Sequence, residues 1–183
     1  LVNSPNIYLY GYFQSSKYFN RNIEVVKKSM KVKTIPTFLE EGYITQVSNS
    51  ISLALSMRLG DDYIKSKHLN VCGEEFYRSA LDMAAKDIDN VKIFVFSDDI
   101  EKAKTMLSDI DGCVFVDGLN DYQSLRVMYS CKHFIISNSS FSWWGAFLGE
   151  YKNKKIYAPE RWYNHMDKQP DIYFEDMIKV RCK

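Results

Sequence analysis

Residues 92–110 read KIFVFSDDIEKAKTMLSDI, a short apolar run that passes directly into a segment with helical periodicity. Ile, Phe and Val occupy consecutive positions in Lys92–Phe96, which indicates a strand buried on both faces. In Asp98–Ile110 the apolar residues recur every three or four positions, as on one face of a helix. Asp98 and Asp99 suit the positive end of that helix's dipole. The stretch therefore predicts one strand–helix unit of an α/β fold.

The same alternation extends over the chain from about residue 50 onward. Five buried strands that alternate with helices predict a doubly wound, Rossmann-like parallel sheet with right-handed crossovers. Ligands of such sheets bind outside the carboxyl ends of the strands. The other predicted strands are Ile51–Leu55, Cys113–Val116, Phe134–Ile136 and Lys155–Tyr157, and the other predicted helices are Glu74–Asp89, residues 121–131 and Phe141–Glu150.

Composition restricts the class of protein. The chain has 183 residues, a net charge of +1 and 46% hydrophobic residues, as in a globular domain that lacks the positive field for binding nucleic acid. No apolar run reaches the ~18 residues that span a bilayer. The four cysteines and three histidines show no metal-ligand spacing, so we expect reduced thiols and no metal site. Because the first residue is Leu, we expect a piece of a longer protein.

The residues after the first predicted strand include an arginine followed closely by glycine. Arg58 at a strand end, with Gly60 in a tight turn, suits a phosphate group because the guanidinium binds phosphate with two parallel hydrogen bonds. The alternative is a surface arginine paired with Asp61 or Asp62.

Polar side chains also follow the second predicted strand. Ser97, Asp98 and Asp99 could accept hydrogen bonds from a nucleobase or ribose. The alternative is that they only cap the following helix. Two adjacent aspartates without further oxygen ligands are weak evidence for a metal site.

The most informative stretch is SNSSFSWWGA at residues 137–146. Small hydroxyl groups and backbone N–H groups at the start of a buried helix form an anion site without a charged side chain. The alternative is a serine-rich cap on a hydrophobic helix. The chain contains no GxGxxG, GxxxxGK[ST] or GxSxG sequence, so it offers no dinucleotide fingerprint, P-loop or hydrolase elbow.

The run NSSFSWWGA at residues 138–146 resembles the bacterial alpha-1,2-fucosyltransferases of glycosyltransferase family 11. Further segments resemble that family in the same order, so the resemblance covers nearly the whole chain. They are Gly11–Phe19, Arg58–Asp61, Phe94–Asp99, Cys131–His133, Ala158–Pro159 with Trp162, and Asp171–Tyr173.

The resemblance implies an inverting GT-B-type enzyme that transfers fucose from GDP-fucose to a galactose-containing glycan, without a metal or other cofactor. Residues 50–183 would be the GDP-sugar-binding, C-terminal Rossmann-like domain. Residues 1–49, an aromatic and polar segment with a short helix at 22–29, would be an interdomain segment and the end of an N-terminal half. The expected location is cytoplasmic, with peripheral contact at the inner membrane as an open alternative.

The resemblance also implies roles for particular residues. Arg58 would bind the pyrophosphate. Asp61, the carboxylate nearest to the expected pyrophosphate site, is the candidate for a catalytic role. The GDP-binding residues would be Arg58, Ser97, Asp98, Asp99, Asn138, Ser139, Ser140 and Phe141.

The chain departs from the family pattern at three positions, because Ser56, Leu59 and Ser124 stand where a His, a second Arg and an Asp are expected. An extra residue, Asp62, also precedes Tyr63. These departures leave open a degenerate, non-catalytic domain that binds a nucleotide or glycan. An unrelated doubly wound domain is a third alternative, because fold alone does not determine function.

Overall fold

The computed structural model describes residues 6, 8, 10, 11, 14–166 and 169–182. Within them, six parallel strands form one sheet in the order β3-β2-β1-β4-β5-β6. This arrangement confirms the predicted doubly wound sheet. The strands are β1 (Ile51–Met57), β2 (Val91–Ser97), β3 (Val114–Phe115), β4 (His133–Ile135), β5 (Ile156–Pro159) and β6 (Met177–Val180).

Seven α-helices accompany the strands in the described part of the chain, and two 3₁₀ turns at Ser16–Tyr18 and Asn20–Asn22 precede them. The α-helices are α1 (Ile23–Met30), α2 (Phe38–Ser48), α3 (Asp61–Ile64), α4 (Glu74–Asp87), α5 (Ile100–Met106), α6 (Asp121–Ser130) and α7 (Ser140–Leu148).

The strand order places a topological switch point in the middle of the sheet. Strand β1 pairs with β2 on one side and with β4 on the other. Successive connections therefore run outward in opposite directions from β1 and β4. A crevice forms outside the carboxyl ends of the strands at such a point, and ligands of open α/β sheets bind there.

Most predicted elements are confirmed with small shifts of their ends. The predicted helix Asp98–Ile110 is too long, because α5 ends at Met106 and the backbone turns before Gly112, which has φ of +77°. Strand β6, at the sheet edge, was not predicted, since exposed Lys179 interrupts its short apolar run.

Helices α2 and α3 were not predicted either. Helix α2 mixes polar and apolar residues without one clear apolar face, and α3 has only one turn. The start of α2 nevertheless carries a recognisable signal in Thr37 and Glu40, which form a capping box at its first turn.

Two apolar cores lie on opposite faces of the sheet because successive strand residues point to opposite sides. Leu53 and Leu55 of β1 pack in the core that includes α4 and α5. Ala54 of β1 packs in the other core, with α6, α7 and Val47 of α2. Helix α2 thus packs on the sheet domain, although it precedes the predicted boundary at residue 50. The division into two domains stays a prediction.

A buried ion pair joins α2 to α6. Glu40 Oε1 lies 3.1 Å from Arg126 Nη1, and their side chains are only 1% and 6% exposed. Arg126 also donates to the Thr34 hydroxyl and carbonyl, while Glu40 accepts from Thr37 N–H and Gln123. Burial raises the pKa of Glu40, but the Thr37 hydrogen bonds and the Arg126 charge outweigh it and hold the pKa below its ordinary value.

We expect Arg126→Met to lower the free energy of unfolding by about 3–5 kcal/mol, because it leaves the Glu40 carboxylate buried without its counter-charge. Urea denaturation measures the loss. Arg78→Met is the control, since Arg78 pairs with Glu74 and Asp109 at the surface, where ion pairs contribute little. Equal losses for the two variants would contradict the assignment.

The pH dependence follows from the lowered pKa of Glu40. Its stabilising contribution is present above the pKa that Glu40 has in the unfolded chain, and it is lost as the pH falls through the folded pKa.

Candidate functional site

A cavity of about 370 Å³ opens at the carboxyl ends of β1, β2, β3 and β4, beside the switch point. Its apolar lining is Met57, Phe96, Ile100, Val116, Leu119 and Phe141. Its polar lining is Ser56, Arg58, Ser97, Asp98, Asp117, Asp121, Ser124, Ser137 and Ser139.

Arg58 lines this cavity directly after β1. Its backbone N–H donates to the buried Tyr77 hydroxyl at 2.9 Å. Its guanidinium pairs with Asp62 at 2.6 Å and with Asp98 at 3.2 Å. Arg58 therefore lies at the cavity and also forms the ion pair with Asp62 that the alternative interpretation expected.

Asp98 braces the turn that carries Arg58. One carboxylate oxygen accepts the Leu59 N–H at 2.7 Å, and the other pairs with the Arg58 guanidinium. Gly60 permits this approach, because a Cβ there would lie 2.7 Å from Asp98 Oδ2 and 2.8 Å from Asp62 Oδ1. Both oxygens of Asp98 are thus committed to holding Arg58 and its turn.

The serine-rich turn after β4 adds polar groups without protein partners to the lining of the same cavity. Ser139 is the N-cap residue of α7, yet its side chain makes no capping hydrogen bond. The Ser137 hydroxyl is buried and has no hydrogen-bond partner among the described residues. The first N–H groups of α7 have no acceptor within the helix. Together these groups have the arrangement of the helix-start anion site that the sequence predicted, and their binding role stays a prediction.

Asn138 is buried beneath the same turn and does not line the cavity. Its carbonyl oxygen accepts the Tyr63 hydroxyl at 2.6 Å. Its amide donates to the carbonyl oxygens of Leu69, at 2.9 Å, and Trp162, at 2.8 Å. Asn138 therefore joins the loops that follow α3 and β5 to the start of α7. The hydrogen-bonding groups of its side chain are occupied by these contacts.

The structure places Asp61, Asp99 and Ser140 outside the lining of the cavity. Asp99 caps α5 by accepting the Lys102 N–H at 3.0 Å. Asp61 pairs with Lys65 and Lys102, whose hydrogen bonds and charges hold the pKa of Asp61 at about 2. A carboxylate with so low a pKa is a weak base near neutral pH. The binding and catalytic roles of these residues stay predictions.

Sequence reasoning did not nominate several residues that line the cavity. Asp117 follows β3 and Asp121 begins α6, so inspecting the end of every predicted strand would have found them. Ser56 and Ser124 were noted only as departures from the family pattern, yet both face the cavity. Ser137 has no distinguishing signal, because only the folded turn leaves its hydroxyl without a partner.

Among residues 14–166 and 169–182, no group of three or more His, Cys, Asp or Glu side chains could hold a metal ion. None of the helices in that part of the chain combines the length and the apolar character that a bilayer-spanning helix needs.

Comparison with known proteins decides the family. The family model described as glycosyl transferase family 11 matches residues 1–180. The chain belongs to glycosyl transferase family 11. The resemblance inferred from the serine-rich motif and the segments around it is thereby confirmed.

Two Escherichia coli relatives of this family 11 chain are each 30% identical to it. An alpha-1,2-colitosyltransferase matches over 161 residues, which are 84% of this chain and 55% of the relative. The O-antigen biosynthesis glycosyltransferase WbnK matches over 122 residues, 63% of this chain and 40% of the relative. The family 11 chain thus spans about half the length of these curated relatives.

A solved structure supports the fold. The E. coli ADP-heptose lipopolysaccharide heptosyltransferase II superposes with a TM-score of 0.52 at 12% identity, over 80% of this chain and 44% of that one. The predicted fold class of the family 11 chain, a Rossmann-like sheet of a GT-B-type glycosyltransferase, is confirmed.

Asn138 joins buried loops, whereas the adjacent Ser139 lines the cavity. A pair of variants distinguishes the structural role of Asn138 from the predicted binding role of Ser139. Asn138→Ala removes the acceptor of the buried Tyr63 O–H and the amide donor to two carbonyl oxygens, so we expect a loss of about 3 kcal/mol in the free energy of unfolding. Ser139→Ala removes no protein hydrogen bond of the cap, so stability stays unchanged while the affinity for inorganic pyrophosphate falls. Chemical denaturation and calorimetry measure the two effects. Equal destabilisation by both substitutions would contradict this assignment.

Proposed function

We propose that the family 11 chain is the donor-binding part of an inverting glycosyltransferase that moves L-fucose from GDP-fucose to the 2-hydroxyl of galactose in a glycan. The observation that carries the proposal is the convergence of Arg58 and the start of α7 on one cavity at the switch point. A guanidinium and a helix N-terminus both bind phosphate without a metal.

The pyrophosphate of the donor would lie between these two groups. Arg58 would exchange its pair with Asp62 or Asp98 for the phosphate oxygens, while Asp98 keeps the turn in place through Leu59 N–H. The Ser139 hydroxyl and the first N–H groups of α7 would donate from the other wall, and Ser137 lies beside them.

The same arrangement supplies the charge that the reaction needs. As the bond from the sugar's anomeric carbon to the phosphate oxygen breaks, negative charge develops on GDP, and the preorganised donors stabilise it. The acceptor hydroxyl attacks the opposite face of the sugar and forms the new bond as the bond to GDP breaks, so the anomeric configuration is inverted. The proton of that hydroxyl passes to solvent. We propose that Arg58 and α7 take the place of a metal ion, so that transfer is independent of metal.

The nucleoside would extend toward the wall formed after β3. Asp98 and Asp99 were predicted to lie near it, but their carboxylates hold Arg58 and cap α5. Asp117 and Asp121 line the cavity there and could accept hydrogen bonds from ribose or base. The apolar side chains of Val116 and Leu119 lie on the same wall.

The fucosyl group itself is the part of the proposal that most needs a chemical test. One relative is by its name an alpha-1,2-colitosyltransferase. Colitose is fucose without the hydroxyl at carbon 3, so both sugars belong in the assay. The acceptor and any attachment to the inner membrane also remain proposals, because this chain covers about half of the relatives' length.

A non-catalytic nucleotide- or glycan-binding domain is the second candidate. It is favoured by the two carboxylates that neutralise Arg58 and by Ser56 and Ser124, which line the cavity where the family pattern has a His and an Asp. Such a domain would bind GDP but transfer no sugar.

Titration and product analysis of the full-length protein test the proposal. We expect GDP to bind more tightly than ADP or UDP, and GDP-fucose to yield a fucosylated galactoside in excess EDTA as well as without it. GDP-colitose is run in parallel. Equal binding of all three nucleotides would refute the donor assignment, and activity that EDTA abolishes and Mn²⁺ restores would refute the metal-free account.

Arg58→Lys tests the catalytic role of the guanidinium. Lysine keeps the charge but cannot donate two parallel hydrogen bonds. We therefore expect kcat for transfer to fall about 100-fold, as for the loss of other preorganised donors. Arg78→Lys, at a surface arginine outside the cavity, is the matched control and should leave kcat unchanged. An Arg58→Lys variant within about twofold of the wild type would place Arg58 outside the chemistry.

A further inference from the structure

A second cavity, of about 440 Å³, lies beside the loop that follows β5. One wall is the loop that follows this strand, with Tyr163 and Asp171. The other wall is the segment before α1, with Gln14, Lys17 and Tyr18. The loop is tied to the carboxyl edge of the sheet, where the candidate donor cavity lies, because Trp162 accepts from Asn138 and Tyr173 donates to the carbonyl group of Pro159, the last residue of β5.

The two walls come from the two ends of the chain, and each belongs to a segment that resembles the family. Residues 14–19 lie in the segment Gly11–Phe19, of which Tyr12 and Phe13 fall outside the described residues. Asp171 and Ile172 lie in the segment Asp171–Tyr173. The donor site makes use of neither segment, so their chemistry is unassigned.

The loop after β5 is held in place by the Gln169 side chain. Its carboxamide oxygen accepts the N–H groups of Trp162, at 2.6 Å, and Tyr163, at 3.1 Å. Its amide nitrogen donates to the Tyr163 and Met166 carbonyl groups. The wall that presents Tyr163 is therefore built before any ligand arrives.

The same loop is bonded to the elements that form the candidate donor cavity. Asn138 donates to the Trp162 carbonyl at 2.8 Å, and the Trp143 indole of α7 donates to the Ile172 carbonyl at 2.7 Å. The opposite wall is anchored to α7 as well, because the Phe19 ring stacks on Trp144 at 6.0 Å between centroids. Both cavities are thus positioned by α7 and the turn that precedes it.

The lining of the second cavity favours a neutral, hydroxyl-rich ligand. Lys17 and Asp171 pair at 2.6 Å across the cavity, so their charges offset each other and leave no net attraction for phosphate. Tyr18 and Tyr163 provide aromatic faces with polar ends. The amide nitrogen of Gln14 is buried and has no hydrogen-bond partner among the described residues, so it can donate to a ligand once the side chain turns toward the cavity that it lines.

We propose that this second cavity binds a neutral sugar unit of the acceptor glycan, at a distance from the hydroxyl that reacts. The proposal rests on the proposed glycosyltransferase function. It assigns part of acceptor recognition to this chain and to two segments that the donor site does not use. A longer acceptor would gain binding energy from the cavity, whereas free galactose would react without reaching it.

The test compares two acceptors of the full-length protein at saturating GDP-fucose: free galactose and the galactose-terminated tetrasaccharide lacto-N-tetraose. We expect Gln14→Ala to lower kcat/KM for the tetrasaccharide about fivefold, the loss of one neutral hydrogen bond, while kcat/KM for galactose is unchanged. We expect Tyr163→Ala to have the same selective effect. The matched controls Gln46→Ala and Tyr151→Ala, outside both cavities, should change neither value.

Equal losses with both acceptors, or no loss with the tetrasaccharide, would overturn the proposal. Thermal unfolding of each variant separates these outcomes from misfolding. Failure of the proposed function would be visible separately, as absence of GDP binding to the wild type. In that case, saturation-transfer NMR measures binding of lacto-N-tetraose to the protein directly. Binding signals that persist in Gln14→Ala and Tyr163→Ala would contradict the proposed sugar site.

Discussion

The Asn138 side chain forms hydrogen bonds that hold together the loops at the carboxyl edge of the sheet, where the candidate donor cavity lies. It accepts from Tyr63, which comes from the chain after β1, and donates to the carbonyl groups of Leu69 and Trp162. Tyr63 in turn accepts the N–H groups of Val71 and Cys72. A buried amide costs free energy unless its groups are paired, so this fully paired set favours one geometry for three loops.

That geometry places charge where an anion would bind. Arg58 ends β1 and α7 begins after β4, and the parallel pairing of β1 with β4 brings their carboxyl ends to the same crevice. Two carboxylates, Asp62 and Asp98, hold the guanidinium in place and reduce its net charge. A phosphate bound here, as proposed, would compete with them, and its affinity would depend on how readily Arg58 exchanges partners.

Aromatic residues of α7 pack against elements that line both cavities. Trp143 stacks on Phe147 at 5.3 Å between ring centroids and bonds to the Ile172 carbonyl, while Phe19 packs against Trp144. Helix α7 therefore contacts both the segment before α1, through Phe19, and the loop after β5, through Ile172. Substitutions in this aromatic cluster should disturb both cavities together, because the start of α7 is positioned by its buried body.

The alternation of strands and helices, the doubly wound sheet and the family were predictable from the amino-acid sequence, because buried parallel strands and the run at residues 138–146 are local patterns. The sequence also pointed to Arg58, Ser97, Asp98, Ser139 and Phe141, which line the cavity. The rule that ligands bind at strand ends was enough to find these residues, since it needs only the order of elements.

The tertiary structure determines which hydrogen bonds each candidate side chain forms. Asn138 and Asp99 have the residue types of ligand-binding groups, but their hydrogen bonds are taken by Trp162, Leu69, Tyr63 and Lys102. Those partners come from distant parts of the chain or from cap geometry, so residue type alone could not reveal them. The second cavity also depends on the fold, because residues 14–18 meet residues 163–172 only when both pack around α7.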